Sequence, residues 1–343
     1  MRRRFSLLAL LAAVALFPAA IHAGDKGAKL RVVIIEGQNN HNWKATTPIL
    51  KKELEDSGRF TVDVATSPQI PSLQKPNKPK DETDEKAVAK YKKDLAAYEG
   101  ALSEFQDQLK EAQKKFADWK IDFDKYDVVV SNYNNTDGHN KGSWPKAVND
   151  ALEQRLKAGK IGLVIVHAAN NAFGAWKEYN RMIGMGWRDN KFGDRLIVND
   201  EGTEVRVPKG QGPGAGHGAY HAFRVTVRDT SHPITMGMPT EWMHAGDELY
   251  HGMRGPAENI RLLATAFDDK KSGGTGENEP MIWTVSYGKG RVFHTPMGHD
   301  ANSMRCVGFA ATLQRGTEWA ATGAVTLPLP DNFPTDKKIS TIK

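Results

Sequence analysis

Apolar runs that end in polar clusters set the rhythm of the first half of the chain. Residues 163–166 are Leu, Val, Ile and Val, and the run stops at His167, Asn170 and Asn171. A helical spacing of Trp176, Tyr179, Met182 and Ile183 follows. Four apolar residues in a row read as a strand buried on both faces, as in a parallel sheet covered by helices. The chain opens in the same way. Residues 30–35 form an apolar run that ends in Asn39, Asn40, His41 and Trp43. Thr47 and Pro48 are placed to open a helix that Gly58 stops, and residues 60–65 alternate as a second strand. Residues 126–131 are a third strand, ending in Asn132, Asn134 and Asn135. A helix from Pro145 to residue 158 then leads to the run that ends at His167. This alternation predicts an α/β fold with a central, mainly parallel sheet flanked by helices. In such a sheet the three polar clusters share the carboxyl edge, where ligands bind.

Two stretches break the rhythm. Residues 68–80 are rich in proline and lysine. After them Val88, Tyr91, Leu95, Tyr98, Leu102, Phe105, Leu109, Ala112, Phe116 and Trp119 recur at alternating spacings of three and four, a heptad seam with charges between. This predicts a coiled-coil-like helix, roughly 48 Å long at 1.5 Å per residue, inserted at 70–120 and weakened only at Gly100. Its apolar stripe has to be covered. The cover is the protein's own domain or a helical hairpin, or else a second copy of the chain in a homo-oligomer. Past residue 186 the pattern turns more β-like. Strands are expected at 223–227, 260–267, 281–286 and 291–295, followed by a helix at 303–321 that contains Cys306. The domain is expected to span 24–330, with a tail at 331–343.

Arg2, Arg3 and Arg4 precede an apolar stretch at 5–17 and small residues up to Ala23. That is the layout of a signal peptide over 1–23, too short to span a bilayer comfortably. The mature chain is expected to be exported, periplasmic or extracellular, and free of the membrane. The formal charge of +6 falls to about +3 without those arginines. There is no Lys/Arg stripe with interleaved aromatics, so nucleic-acid binding is not indicated. A single cysteine, Cys306, excludes an intramolecular disulfide.

The ordered set His41-Asn-Trp43, Tyr126-Asp-Val-Val-Val130, Val166-His-Ala-Ala169, Trp176, His232-Pro-Ile-Thr235, Asp247-Glu-Leu-Tyr250, Tyr287-Gly-Lys-Gly-Arg-Val292 and Gly298-His-Asp300 resembles the ThuA-like, trehalose-utilisation family. The resemblance covers most of residues 30–323, the insertion apart. It implies a fold similar to class I glutamine amidotransferases and a part in utilising trehalose or a related sugar. An amidotransferase of that fold carries a Cys at the turn after the central strand. Here the turn holds His167, Ala168 and Ala169, and no Gly-x-Ser-x-Gly elbow exists, so Cys-dependent amidotransfer is excluded.

What remains is His, Asn, Asp and Glu, which suit acid/base work on hydroxyls or coordination of a divalent metal such as zinc. His167, His299, Asp247 and Glu248 are the catalytic candidates. His41, Trp43, Asn132, Asn170, Asn171, Trp187, His221, Tyr250 and Asp300 are the candidates for holding a sugar, since amides and aromatic faces suit its ring. His217 and His221 have zinc-like spacing within a glycine-rich loop. His244, Glu248 and His251 would share one face if that stretch were helical. Two readings stay open. One is a hydrolase, lyase or isomerase acting on a sugar or keto-sugar. The other is a non-catalytic sugar-binding or scaffold domain whose helical insertion recruits a partner.

Overall fold

The computed structural model describes residues 28–134 and 143–342; the stretch 1–23 expected to be a signal peptide and Asn135 lie outside them. Strands β1 (Leu30–Glu36), β2 (Phe60–Thr66), β3 (Val128–Ser131) and β4 (Gly162–Val166) alternate with helices α1 (Trp43–Asp56), α2 (Glu85–Ala117) and α3 (Lys146–Lys157). A 3-10 turn at His167–Asn171 leads into α4 (Lys177–Ile183). The second half adds β5 (Arg195–Val198), β6 (Glu204–Val207), β7 (Gly216–His217), β8 (His221–Val227) and β9 (Glu241–Asp247). It continues with β10 (Tyr250–His251), β11 (Ile260–Phe267), β12 (Asn278–Tyr287) and β13 (Gly290–Thr295), then α5 (Ala301–Met304) and α6 (Val307–Thr322).

Eleven strands form one sheet in the order β2-β1-β3-β4-β13-β12-β11-β8-β9, with β5 and β6 attached at β12; β7 and β10 pair separately. Strands β2, β1, β3, β4 and β13 run parallel. Every pairing beyond β13 is antiparallel. The sheet is therefore mixed rather than mainly parallel. Helical crossovers build its first half, whereas the second half turns back through short connections, which join antiparallel neighbours. Alternate residues of the parallel strands feed two cores. Val32, Ile34, Val130 and Val164 pack with Leu50 and Leu54 of α1 and with Phe309 and Leu313 of α6. Val33, Ile35, Val129 and Ile165 pack with Leu152 and Leu156 of α3 and with Met182 of α4. Each such side chain, once fully buried, contributes roughly 1.5–3 kcal/mol.

Three local expectations are corrected. Helix α1 begins at Trp43, not at Pro48, because the Asn42 side chain accepts from Ala45 N at 3.3 Å and caps it earlier. The 244–251 stretch is not helical: β9 occupies 241–247, with Trp242 and His244 both buried. The final helix is broken, and Cys306 is the N-cap residue of α6 rather than a helical one. The tail beyond α6 is pinned along the sheet, since Met243 N donates to Thr335 O at 2.8 Å. No helix among the described residues is long and apolar enough to cross a membrane.

Helix α2 is present, with Asp84 as its N-cap, and none of its side chains is fully buried. Phe116 and Trp119 pack against the domain at its foot. Along the remaining length the seam residues are half-buried and the residues between them mostly exposed. Among the described residues, no strand or helix of the domain packs extensively along it. In the preceding segment Ile70, Leu73, Pro76 and Pro79 are half-buried at a spacing of three, the period of a polyproline II helix.

Candidate functional site: one carboxylate among histidines

The parallel strands end in the polar clusters foreseen from the sequence, and those ends converge. After β1 the chain presents His41, and after β4 it presents His167; their rings lie 4.7 Å apart. His299, which follows β13, lies 4.7 Å from His41 and 5.5 Å from His167. Glu248, just past β9, reaches into this group. Its carboxylate lies 3.4 Å from His299 Nε2, 3.5 Å from His217 Nε2 and 3.8 Å from His167 Nε2. Ligand-capable atoms of His41, Glu248 and His299 all fall within 4.8 Å of one another.

His167 occupies the turn after the central strand with φ of +45°, a strained left-handed conformation for a residue with a side chain. Its Nδ1–H donates to Pro296 O at 2.6 Å, which leaves Nε2 as an acceptor for the Tyr250 hydroxyl at 2.9 Å. Burial pushes His167 down to about 3 and His41 down to about 4, so both rings are neutral at pH 7; the His41 Nε2 lone pair accepts from the Asn40 amide at 3.1 Å. Burial raises Tyr250, which keeps its proton, and also raises Glu248.

Asp247 faces the other way, as the next residue along a strand must. It is completely buried. Oδ2 accepts from His244 Nε2 at 2.8 Å and from Gly298 N at 2.7 Å, while Oδ1 accepts from Glu248 N at 2.8 Å and His299 N at 3.1 Å. Burial opposes its charge, but the His244 hydrogen bond and charge and the backbone donors hold it below the usual carboxylate range. Burial likewise lowers His244, yet the bond to Asp247, with Cys306 beside it, brings it up to about 9. The pair is thus an imidazolium and a carboxylate. Gly298 makes the loop feasible: its φ is +102°, and a Cβ there would sit 2.9 Å from Phe309. One buried carboxylate therefore orients the backbone of both Glu248 and His299.

The sugar-binding candidates divide. Tyr250 lies in the cluster, and Trp187 packs edge-on against it at 4.6 Å. Asp300 borders a cavity of about 600 Å³ with Asn40, His41, Asn42, His299 and Asn302. Asn132 lies beneath, its amide donating to the Thr46 and Thr47 hydroxyls of α1. Asn170 is fully buried with its amide on His294 and Met253, and the Asn171 carbonyl accepts from Arg188. Trp43 lines a separate cavity with Glu36, Lys44 and Lys51. His221 turns to Ala219 O at 2.6 Å. Its neighbour in the zinc-like spacing, His217, meets Glu248 instead, because the stretch between them is extended rather than helical. Sequence reasoning missed Tyr220, whose hydroxyl reaches Asp300 and Asn302 at the cluster's rim.

Two imidazoles and a carboxylate are a donor set that suits zinc. Two observations favour the fit. The His41 ring is neutral at pH 7, so a metal would displace only the Asn40 amide from its Nε2 lone pair. The His299 Nδ1 is buried with no hydrogen-bond partner among the described residues, Asp300 lying 3.7 Å away.

Comparison with known proteins gives a consistent picture. The model of a family described as trehalose utilisation (ThuA) matches residues 77–320. A crystal structure of a ThuA-like protein from Parabacteroides merdae is 37% identical, covers 92% of this chain and 98% of that one, and superposes with a TM-score of 0.73. A ThuA-like protein from Bacteroides uniformis is 15% identical over 90% of this chain and 97% of that one, with a TM-score of 0.48. No curated protein matches the chain.

Proposed function

The chain belongs to the trehalose-utilisation (ThuA) family, and on that premise we propose that it is an exported enzyme acting on trehalose, a related sugar or its keto form. The observation that carries the reading is the convergence of His41, Glu248 and His299 at the carboxyl edge of the sheet. These three residues would hold a divalent metal such as zinc. Such an ion would supply Lewis-acid polarisation of a sugar oxygen. Beside it, His167 Nε2 is the base: a neutral imidazole, tautomer fixed by Pro296, that takes a proton from a sugar hydroxyl or an activated C–H once the Tyr250 hydroxyl turns from it to the substrate. Tyr250, protonated and 2.9 Å from the same nitrogen, is the donor that returns a proton to the substrate. Glu248, Asp247 and His299, read together as catalytic candidates from the sequence, take different parts. Glu248 and His299 are ligands, and Asp247 holds them in place.

The test is metal analysis joined to turnover. The protein purified from zinc-supplemented culture should carry about one equivalent of metal, and His41→Ala with His299→Ala should lose it while keeping the fold. Turnover of a panel of disaccharides and their keto derivatives should vanish with chelator and return with metal. A wild-type protein that binds no divalent metal would sink this reading.

A further inference from the structure

Tyr220 stands at the mouth of the site in an unusual way. Its ring is 45% exposed, one of the few large apolar side chains left open among the described residues. Yet it is fixed at both ends. Its hydroxyl donates to Asp300 at 3.3 Å and accepts from Asn302 Nδ2 at 3.1 Å. Its ring lies close over the backbone of β9 at Gly246, where an added Cβ would come within 2.6 Å of Cε1. The same ring sits edge-on to His299, with centroids 5.9 Å apart. Asp300, Asn302 and His299 all border the 600 Å³ cavity beside the cluster. An aromatic ring held rigid on one side and open on the other, next to amides and carboxylates, matches the amphipathic surface of a pyranose: C–H groups for the ring, hydroxyls for the polar neighbours.

We propose that Tyr220 is the stacking platform for a pyranose ring seated beside the His41–Glu248–His299 cluster, which makes it a specificity-determining residue and makes the ligand a saccharide with an open C–H face. The inference rests on the sugar-processing reading above. Its alternative is that Tyr220 only braces the start of α5 through Asp300. Calorimetric titration of the zinc-loaded protein with trehalose, maltose and glucose separates the two. Tyr220→Ala should weaken saccharide binding by about tenfold or more, the order an aromatic face supplies. Tyr220→Phe, which keeps the face and drops the hydroxyl, should stay within about threefold of wild type. Gly246→Ala, which lifts an unaltered Tyr220, should weaken binding as Tyr220→Ala does. Zinc content should be the same in all four proteins. Equal saccharide affinity in wild type and Tyr220→Ala overturns the platform alone, and so does a Tyr220→Phe loss as large as that of Tyr220→Ala. A zinc-loaded wild type that takes none of the three sugars overturns the platform together with the sugar reading. Saccharide binding without zinc overturns only the metal part of that reading and leaves the platform standing.

Discussion

Replacing Asp247 by Asn tests whether one buried carboxylate organises the site. The change keeps size and shape but turns one oxygen into an NH2 group. Each oxygen now accepts from two donors: Oδ2 from His244 and Gly298, Oδ1 from Glu248 and His299. Turned one way the new amide points N–H at the Glu248 and His299 N–H groups, turned the other way at the Gly298 N–H, and in both the His244 imidazolium loses its counter-charge. Hydrogen bonds to a charged group are worth roughly 1.5–3 kcal/mol each, and removing one partner of a buried ion pair costs about 3–5 kcal/mol. The larger figure already contains much of the smaller, so a loss of about 4 kcal/mol is expected, a fall in Tm on the order of 10 °C. The site should suffer as well, because the backbone N–H groups of Glu248 and His299 lose the acceptor that fixes them. Groups that orient ligands typically govern metal affinity by roughly 10- to 100-fold. Thermal melting by circular dichroism gives the first quantity and competition with a zinc chelator dye the second. A variant that melts within about 2 °C of wild type and binds zinc equally well would refute the reasoning.

Two further outcomes follow from the structure. His294 is fully buried against Trp283, with ring centroids 3.8 Å apart, and burial lowers it to about 3. The unfolded chain, with an ordinary pKa near 6.5, takes up this proton first, so the His294 contribution is complete above about pH 6.5 and is lost as the pH falls toward 3. Between pH 7 and 5 wild type should lose about 2 kcal/mol more than His294→Asn in urea unfolding, and parallel pH profiles would contradict this. Replacing residues 70–113 by a short Gly/Ser loop should leave a soluble protein with the parent's oligomeric state by light scattering, since no large apolar side chain of that arm is exposed. A change from dimer to monomer on deletion would show that the arm is an interface.

The parallel half of the fold was legible because each strand is a short apolar run with both faces buried, and each is punctuated by a polar end. The mixed half was less so. Strands β5 and β6 are four residues each, too short for a period to emerge, and β9 carries His and Gly, which read as turn or helix. That gap had a consequence at the site. With no strand foreseen at 241–247, Asp247 and Glu248 looked like an adjacent pair of equal standing. On a strand, neighbours point to opposite faces, so one goes to the ligands and the other to the core. His41 was placed among sugar contacts, and the structure brings it to Glu248 and His299 in the candidate metal cluster. No sequence spacing relates residue 41 to residue 299; only the parallel pairing of β1, β3, β4 and β13 brings them together.

The insertion shows how a correct local inference can rest on an incomplete set of partners. The heptad spacing specified a helix over residues 88–119, and α2 covers 85–117. The stripe was expected to need the domain or a second copy, since ten apolar residues in line cannot stay wet. The proline- and lysine-rich segment before it was read only as a linker. Proline, however, fixes the backbone in an extended three-fold helix whose ordering costs little entropy. Read at a period of three, Ile70, Leu73, Pro76 and Pro79 form a second stripe on one side, roughly 28 Å long at 3.1 Å per residue and shorter than the helical seam. Such a stripe and a second copy of the helix are then competing covers for one face, and the deletion above separates them by oligomeric state. At its foot α2 is already anchored on the domain, where Phe116 stacks on Trp119 at 6.4 Å and Trp119 meets Trp144 at 6.2 Å.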